Sequence, residues 1–270
     1  MIEYIIGFLI AIIIGAIAAV AGLGGGFLFV PTLILLFGVD PKTAIGTSLS
    51  IIVFSTLSSS VAYSRQKRIF YRSAACLAIP GIIFSLLGSL ATAYISSTTL
   101  TFIFCGVLFI VALKMIYPGL PFIAPMKFGP SHNEVCTDCY SNVIEHRLYF
   151  IHVIFWGSLA GLMSGLTGIG GGVINVPALT MGGMPVHFAV ATSTFVILCT
   201  ALAGTTIHSR LGHVSLPYMV SYSLGAIIGA QIGVRLAPRI KAERLKTGVA
   251  IVLFITVCIV LAENLFLITV

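Results

Sequence analysis

Hydrophobic positions along this chain run in unbroken blocks instead of alternating or recurring every third to fourth residue. No formal charge stands between Glu3 and Asp40, 41 uncharged residues separate Arg72 from Lys114, and 62 separate Arg147 from Arg210. A spanning helix takes about 20 apolar residues, so these blocks hold one, two and up to three spans. Backbone amides in lipid must be paired within the protein, which leaves helices or closed barrels, and blocks this long far exceed barrel strands. The pattern therefore predicts an all-α polytopic membrane protein. Helix-length segments fall at about 3–21, 43–63, 73–95 and 98–117, then at about 148–166, 187–208, 215–237 and 247–266. The first follows MIEY, whose Glu3 stands where a signal peptide needs basic residues, so it is expected to remain as the first span.

Inside this greasy pattern, GLGGGFLFVP at residues 22–31 returns as GIGGGVINVP at 168–177, 146 positions on. After a register shift of one, Thr47-Ser48 falls on Thr192-Ser193, Ser64-Arg65 on Ser209-Arg210, and Ile82, Ile83 and Gly88 on Ile227, Ile228 and Gly233. The chain thus divides into a first transmembrane repeat (1–117), a polar connecting loop (118–147) and a second repeat (148–270). Duplicated halves are a frequent plan of secondary transporters.

Each repeat carries four long segments and a short fifth one at its glycine motif. If the fifth only dips into the membrane, the halves are parallel; if it crosses, they are inverted. Lysine and arginine collect in cytoplasmic loops. The inverted arrangement puts twelve of them on one side and only Lys42 and Arg210 on the other, whereas the parallel one divides them eight against six. The expectation is two inverted repeats of about five membrane segments each, with short broken helices at the Gly-rich motifs. Ten crossings then leave both termini outside and the connecting loop in the cytoplasm.

Composition agrees with the pattern: 59% of residues are hydrophobic, 8% are charged and seven of 270 are acidic. Mean hydropathy is +1.15. So few charges exclude a soluble surface. The net charge of +7 sits in short clusters between apolar blocks, where it reports topology and not nucleic-acid binding.

The glycine motifs are the candidate chemistry. Extended at about 3.3 Å per residue, Gly22 to Val30 would cover close to 30 Å, and Pro31 and Pro177 suit the first turn of a helix. Two half-helices with their amino ends inside the protein would offer unpaired N–H groups and partial positive charge to an anion. The predicted substrate-binding residues are Gly24, Gly25, Gly26 and Pro31, with Gly170, Gly171, Gly172 and Pro177 opposite. The bland alternative is close helix packing through small residues. Thr47, Ser48, Thr192 and Ser193 add hydroxyl donors without a buried charge. The repeats also differ: Asn175 replaces Phe29 and His208 replaces Tyr63. Asn175 can donate to an anion, His208 can carry a proton, and Arg210 can draw anions to an entrance.

With both glycine-proline motifs, the paired Thr-Ser positions and the duplication in view, the chain resembles the TauE/SafE family of membrane permeases across both halves. That resemblance implies a secondary transporter that moves sulfite or a small organosulfur or sulfonate anion across the cytoplasmic membrane, usually without ATP-binding subunits. The connecting loop departs from the family pattern. Its SHNEVCTDCYSNVIEH holds His132, Cys136, Cys139 and His146, which are zinc-ligand types at a non-standard spacing, or a CxxC redox pair. No other cofactor is expected. There is no HExxH, no intramembrane acidic pair and no GxSxG, so an enzyme is disfavoured. An anion channel, or a membrane sensor working through the CxxC loop, remains as the alternative. Direction of flux, coupling ion and oligomeric state stay open.

Overall fold

The computed structural model describes residues 2–116, 131–137, 143–237 and Phe254. Helices α1 (Ile2–Ala21), α2 (Gly26–Phe37), α3 (Pro41–Arg65), α4 (Tyr71–Ala91) and α5 (Ser97–Ile116) precede a hairpin of β1 (Ser131–Thr137) and β2 (Val143–Tyr149). Helices α6 (Phe150–Thr167), α7 (Gly172–Met181), α8 (Val186–Arg210) and α9 (Leu216–Leu236) follow. Apart from Phe254, the expected segment at 247–266, with Lys241, Arg244 and Lys246 before it, lies outside the described residues.

Among the described residues, six helices, α1, α3, α4, α6, α8 and α9, are long and apolar enough to cross a membrane. Their outward faces are greasy: Ile5, Leu9 and Ile13 on α1, Ile79, Ile83 and Leu87 on α4, and Val220, Leu224 and Ile228 on α9 are exposed. Thr47, Ser48, Ser55, Thr192 and Ser193 are buried instead. That inversion of the soluble pattern places lipid outside and polar groups at the centre.

Small residues let the helices approach. Gly225, Gly229 and Gly233 of α9 lie against the carbonyls of Phe8, Ile12 and Ala16 of α1, where a Cβ would collide. Gly157, Gly161 and Gly165 of α6 meet Leu77, Gly81 and Ser85 of α4 in the same way. Lipid offers no hydrophobic drive between helices, so dispersion across such close backbones holds them. The rising numbers on both members show that α1 runs parallel to α9, and α4 to α6.

Helices α3 and α8 form the middle. Gly46 and Leu49, near the start of α3, pack against His208 and Gly204, near the end of α8, so these two run antiparallel. Contacts come in pairs related by the sequence repeat: α1 with α9 and α6 with α4, α3 with α9 and α8 with α4, α2 with α3 and α7 with α8.

Two local expectations differ from the structure. The glycine segment is not extended to Val30: α2 begins at Gly26 and α7 at Gly172, so Pro31 and Pro177 lie inside their helices. Positive φ at Gly22, Gly24 and Gly25 (68, 82 and 91°) and at Gly168, Gly170 and Gly171 (72, 86 and 77°) turns the chain within four residues. Left-handed backbone of this kind is open to glycine and costly to other residues. Part of the connecting segment, read from sequence as loop, is the β1–β2 hairpin, in register from Ser131↔Tyr149 to Thr137↔Val143.

Candidate functional site at the paired glycine loops

The two glycine turns meet each other at the centre of the molecule. Gly26 packs on the carbonyl of Gly168 and on Ile169, and Gly172 packs on the carbonyl of Gly22 and on Leu23. No side chain fits either place. Ile52 and Ile197, mid-way along α3 and α8, flank both Gly24 and Gly170.

Each turn starts a helix without a side-chain cap. Gly25 O accepts from the amides of Leu28 and Phe29 (3.0 and 2.9 Å), and Gly171 O from Ile174 and Asn175 (both 3.0 Å). The amides of Gly26, Phe27, Gly172 and Val173 have no acceptor among the described residues. Two positive helix ends with free donors are thereby buried in the protein interior.

The Thr-Ser pairs are brought to this centre, but their hydroxyls are engaged in reciprocal bonds between the halves. Ser48 Oγ donates to Gly168 O (2.9 Å) and Ser193 Oγ to Gly22 O (3.0 Å). Thr192 Oγ1 accepts from Phe70 N (3.1 Å) and Thr47 Oγ1 from Ser215 N (2.9 Å). Nearby Ser50 and Thr194 bond their own helix, at Gly46 O and Val190 O.

One half keeps polar groups unspent. Asn175 is fully buried, and neither its amide nitrogen nor its oxygen has a hydrogen-bond partner; Ser164 Oγ is buried and unpartnered too. In the repeat these positions correspond to Phe29 and Ala18, which crowd the vacant Cβ side of Gly25. Around Gly171 the nearest atoms are instead the backbone and Cβ of Ala160, so the two turns are packed differently. The positions that hold the apolar Phe29 and Ala18 in one half hold the polar Asn175 and Ser164 in the other. Motif reading passes over Ser164, although the 146-residue offset alone exposes its exchange with Ala18.

His208 is also fully buried, with Nε2 3.1 Å from Gly165 O, while Arg210 is exposed. Both stand at the end of α8 and not at the glycine turns.

The hairpin binds the opposite end. Along β1 and β2, Glu134, Cys136, Ile144 and His146 share one face. Glu134 caps α4 from outside: its carboxylate accepts from Arg72 N (3.0 Å), Ser73 N (3.0 Å) and Ser73 Oγ (2.8 Å). Cys136 Sγ donates to Lys67 O (3.1 Å), and His146 is buried against Phe70. Burial holds the His146 imidazole below its ordinary value, with Glu134 opposing the shift and His152 adding to it. Of the metal or redox candidates, His132 stands on β1 and Cys139 lies outside the described residues. Among the described residues, no three of His, Cys, Asp and Glu converge as a metal set.

The family model for the sulfite exporter TauE/SafE matches residues 7–260. The chain belongs to the TauE/SafE family. It is similar to the probable membrane transporter protein YunE of Bacillus subtilis, 27% identical over 275 residues that cover 98% of this chain and 99% of that protein. A probable membrane transporter protein of Methanocaldococcus jannaschii is 27% identical over 253 residues, 88% of each chain. No solved structure matches. This TauE/SafE chain is a multi-pass membrane transporter, and its lipid-facing apolar helices fit that class.

Proposed function

We propose that the protein carries sulfite or a small organosulfur or sulfonate anion by alternating access, with the anion held at the amino end of α7. The observation that carries this reading is the wholly buried, unpartnered Asn175 and Ser164 beside a helix end with free amides. An anion would accept from Asn175 Nδ2, Ser164 Oγ and the turn amides without any buried lysine. The antiparallel α3 and α8 and the reciprocal contacts support inverted halves that rock about this centre. The charge division of the sequence then puts the hairpin in the cytoplasm.

The test transplants the residues of the first half: Asn175→Phe with Ser164→Ala, in purified protein and in proteoliposomes. Sulfite, thiosulfate, a sulfonate and sulfate are compared for binding and for counterflow. The wild type is expected to show saturable flux stimulated by substrate on the far side, and the folded variant to lose at least about tenfold in affinity, as removal of two to three charge-assisted hydrogen bonds implies. Unchanged binding in the folded variant would sink the α7 site. Flux indifferent to substrate on the far side would mean a pore.

A further inference from the structure

The repeat places His208 and His213 where the first half has Tyr63 and Arg68. The correspondence extends to geometry: Tyr63 Oη donates to Ala19 O (2.8 Å), and His208 Nε2 lies 3.1 Å from Gly165 O, the matching carbonyl. Both helices close with the same turn, Arg68 N bonding Tyr63 O (3.2 Å) and His213 N bonding His208 O (2.9 Å). A carbonyl only accepts, so the proton of neutral His208 is on Nε2 and its Nδ1 is bare. That Nδ1 and the Nδ1 of His213 are both buried without a hydrogen-bond partner, and the two rings lie 5.7 Å apart.

From this exchange we propose that His208 and His213 form a proton-binding latch at the end of α8, present on one face of the carrier only. A proton added to either Nδ1 creates a cation in a buried contact beside a second imidazole, and that charge must reach water. The contact it strains joins three elements, because Gly46 of α3 packs directly on His213 O and His208 Cβ while α6 supplies Gly165 O. The other groups facing the pair are Asp40 and Lys42 at the start of α3, which act on His213 with opposite signs. Gly46 and Gly165 bring no titratable group, and Arg210 is exposed. At the mirrored contact a tyrosine and an arginine do not change charge near neutral pH. Protons therefore loosen the α8 contact at His208 and leave its mirrored counterpart, the Tyr63 bond to Ala19 O, unchanged. The latch stands on its own geometry; that it times anion transport rests on the function proposed above.

Hydrogen exchange of the purified full chain separates the two claims. Between about pH 8 and about pH 5, after correction for intrinsic rates, peptides covering 205–216 are expected to exchange at least roughly fivefold faster in the wild type. His208→Tyr, which installs the residue of the first half, is expected to stay within about twofold across the same range. Should that variant misfold, His208→Gln keeps a donor for Gly165 O without a titration. A flat wild-type response, or one that survives either folded variant, overturns the latch whatever the transport result. In proteoliposomes, sulfonate counterflow is expected to rise at least roughly threefold when only the α8-end compartment is acidified. A pH-dependent opening with no sulfonate flux would leave the latch and remove the transport reading, whereas flux with a flat exchange profile would do the reverse.

Discussion

At the scale of single residues, the two halves solve the same problem with different side chains, and the difference predicts stability. Lys67 holds φ of 53°, while its counterpart Gly212 holds 74°, each ending a long helix. A left-handed lysine costs about 1–2 kcal/mol, part of which glycine returns as freedom in the unfolded chain. Lys67→Gly is therefore expected to raise stability by about 0.5–1 kcal/mol, read as a higher melting temperature in detergent. A fall would show that the lysine side chain contributes more than its backbone costs. Comparing the repeats residue by residue also makes Asn175 and His208 legible as exchanges in the sequence alone. It does not reveal that Asn175 has no partner, because satisfaction of a buried amide depends on which neighbours the fold delivers.

At the scale of elements, the hairpin is the clearest case of a segment whose role its own sequence conceals. In the sequence Glu134 is only a charge in a polar loop, yet it caps α4, whose own preceding residue Phe70 supplies no side-chain bond. Removing such a cap costs about 1 kcal/mol. Glu134→Ala is expected to make residues 131–149 cleave faster in limited proteolysis, without loss of the membrane helices. Acid should act on the same docking through His146. Its docked imidazole is depressed from 6.5 by burial, so the undocked hairpin binds the proton more readily. Docking is then complete above about pH 6.5 and weakens as pH falls below it. Cleavage that is indifferent to both the substitution and the pH would mean that Cys136 and Ile144 hold the hairpin alone. The glycine stripe Gly225, Gly229 and Gly233, by contrast, is readable directly from its four-residue spacing as a packing face.

At the scale of the whole molecule, two serines tie the repeats together. Ser48 and Ser193 each reach across to a glycine carbonyl of the other half, at 2.9 and 3.0 Å. Replacing either by alanine leaves a buried carbonyl without that donor, at about 1–3 kcal/mol. Because the geometry is reciprocal, Ser48→Ala and Ser193→Ala are expected to cost the same to within about 0.5 kcal/mol in thermal or denaturant melts. A lopsided loss would mean that one bond carries the contact between the halves. The sequence marks these hydroxyls as candidates for substrate contact; only the fold assigns them to this joint.

The sequence by itself determined that the chain lives in lipid, that it is helical, roughly where the described long helices start and stop, and that one glycine-proline motif recurs 146 positions on. Those properties follow from local composition: uncharged length, glycine and proline positions, and repetition. Tertiary structure alone decided that the glycine turns touch each other, that α3 and α8 run antiparallel, and that helix α2 begins at Gly26 and not at Pro31. It also decided that Asn175, at the position that Phe29 holds in the other half, is left without a partner. Such outcomes depend on contacts between residues more than a hundred positions apart, whose distances and partners no local pattern contains.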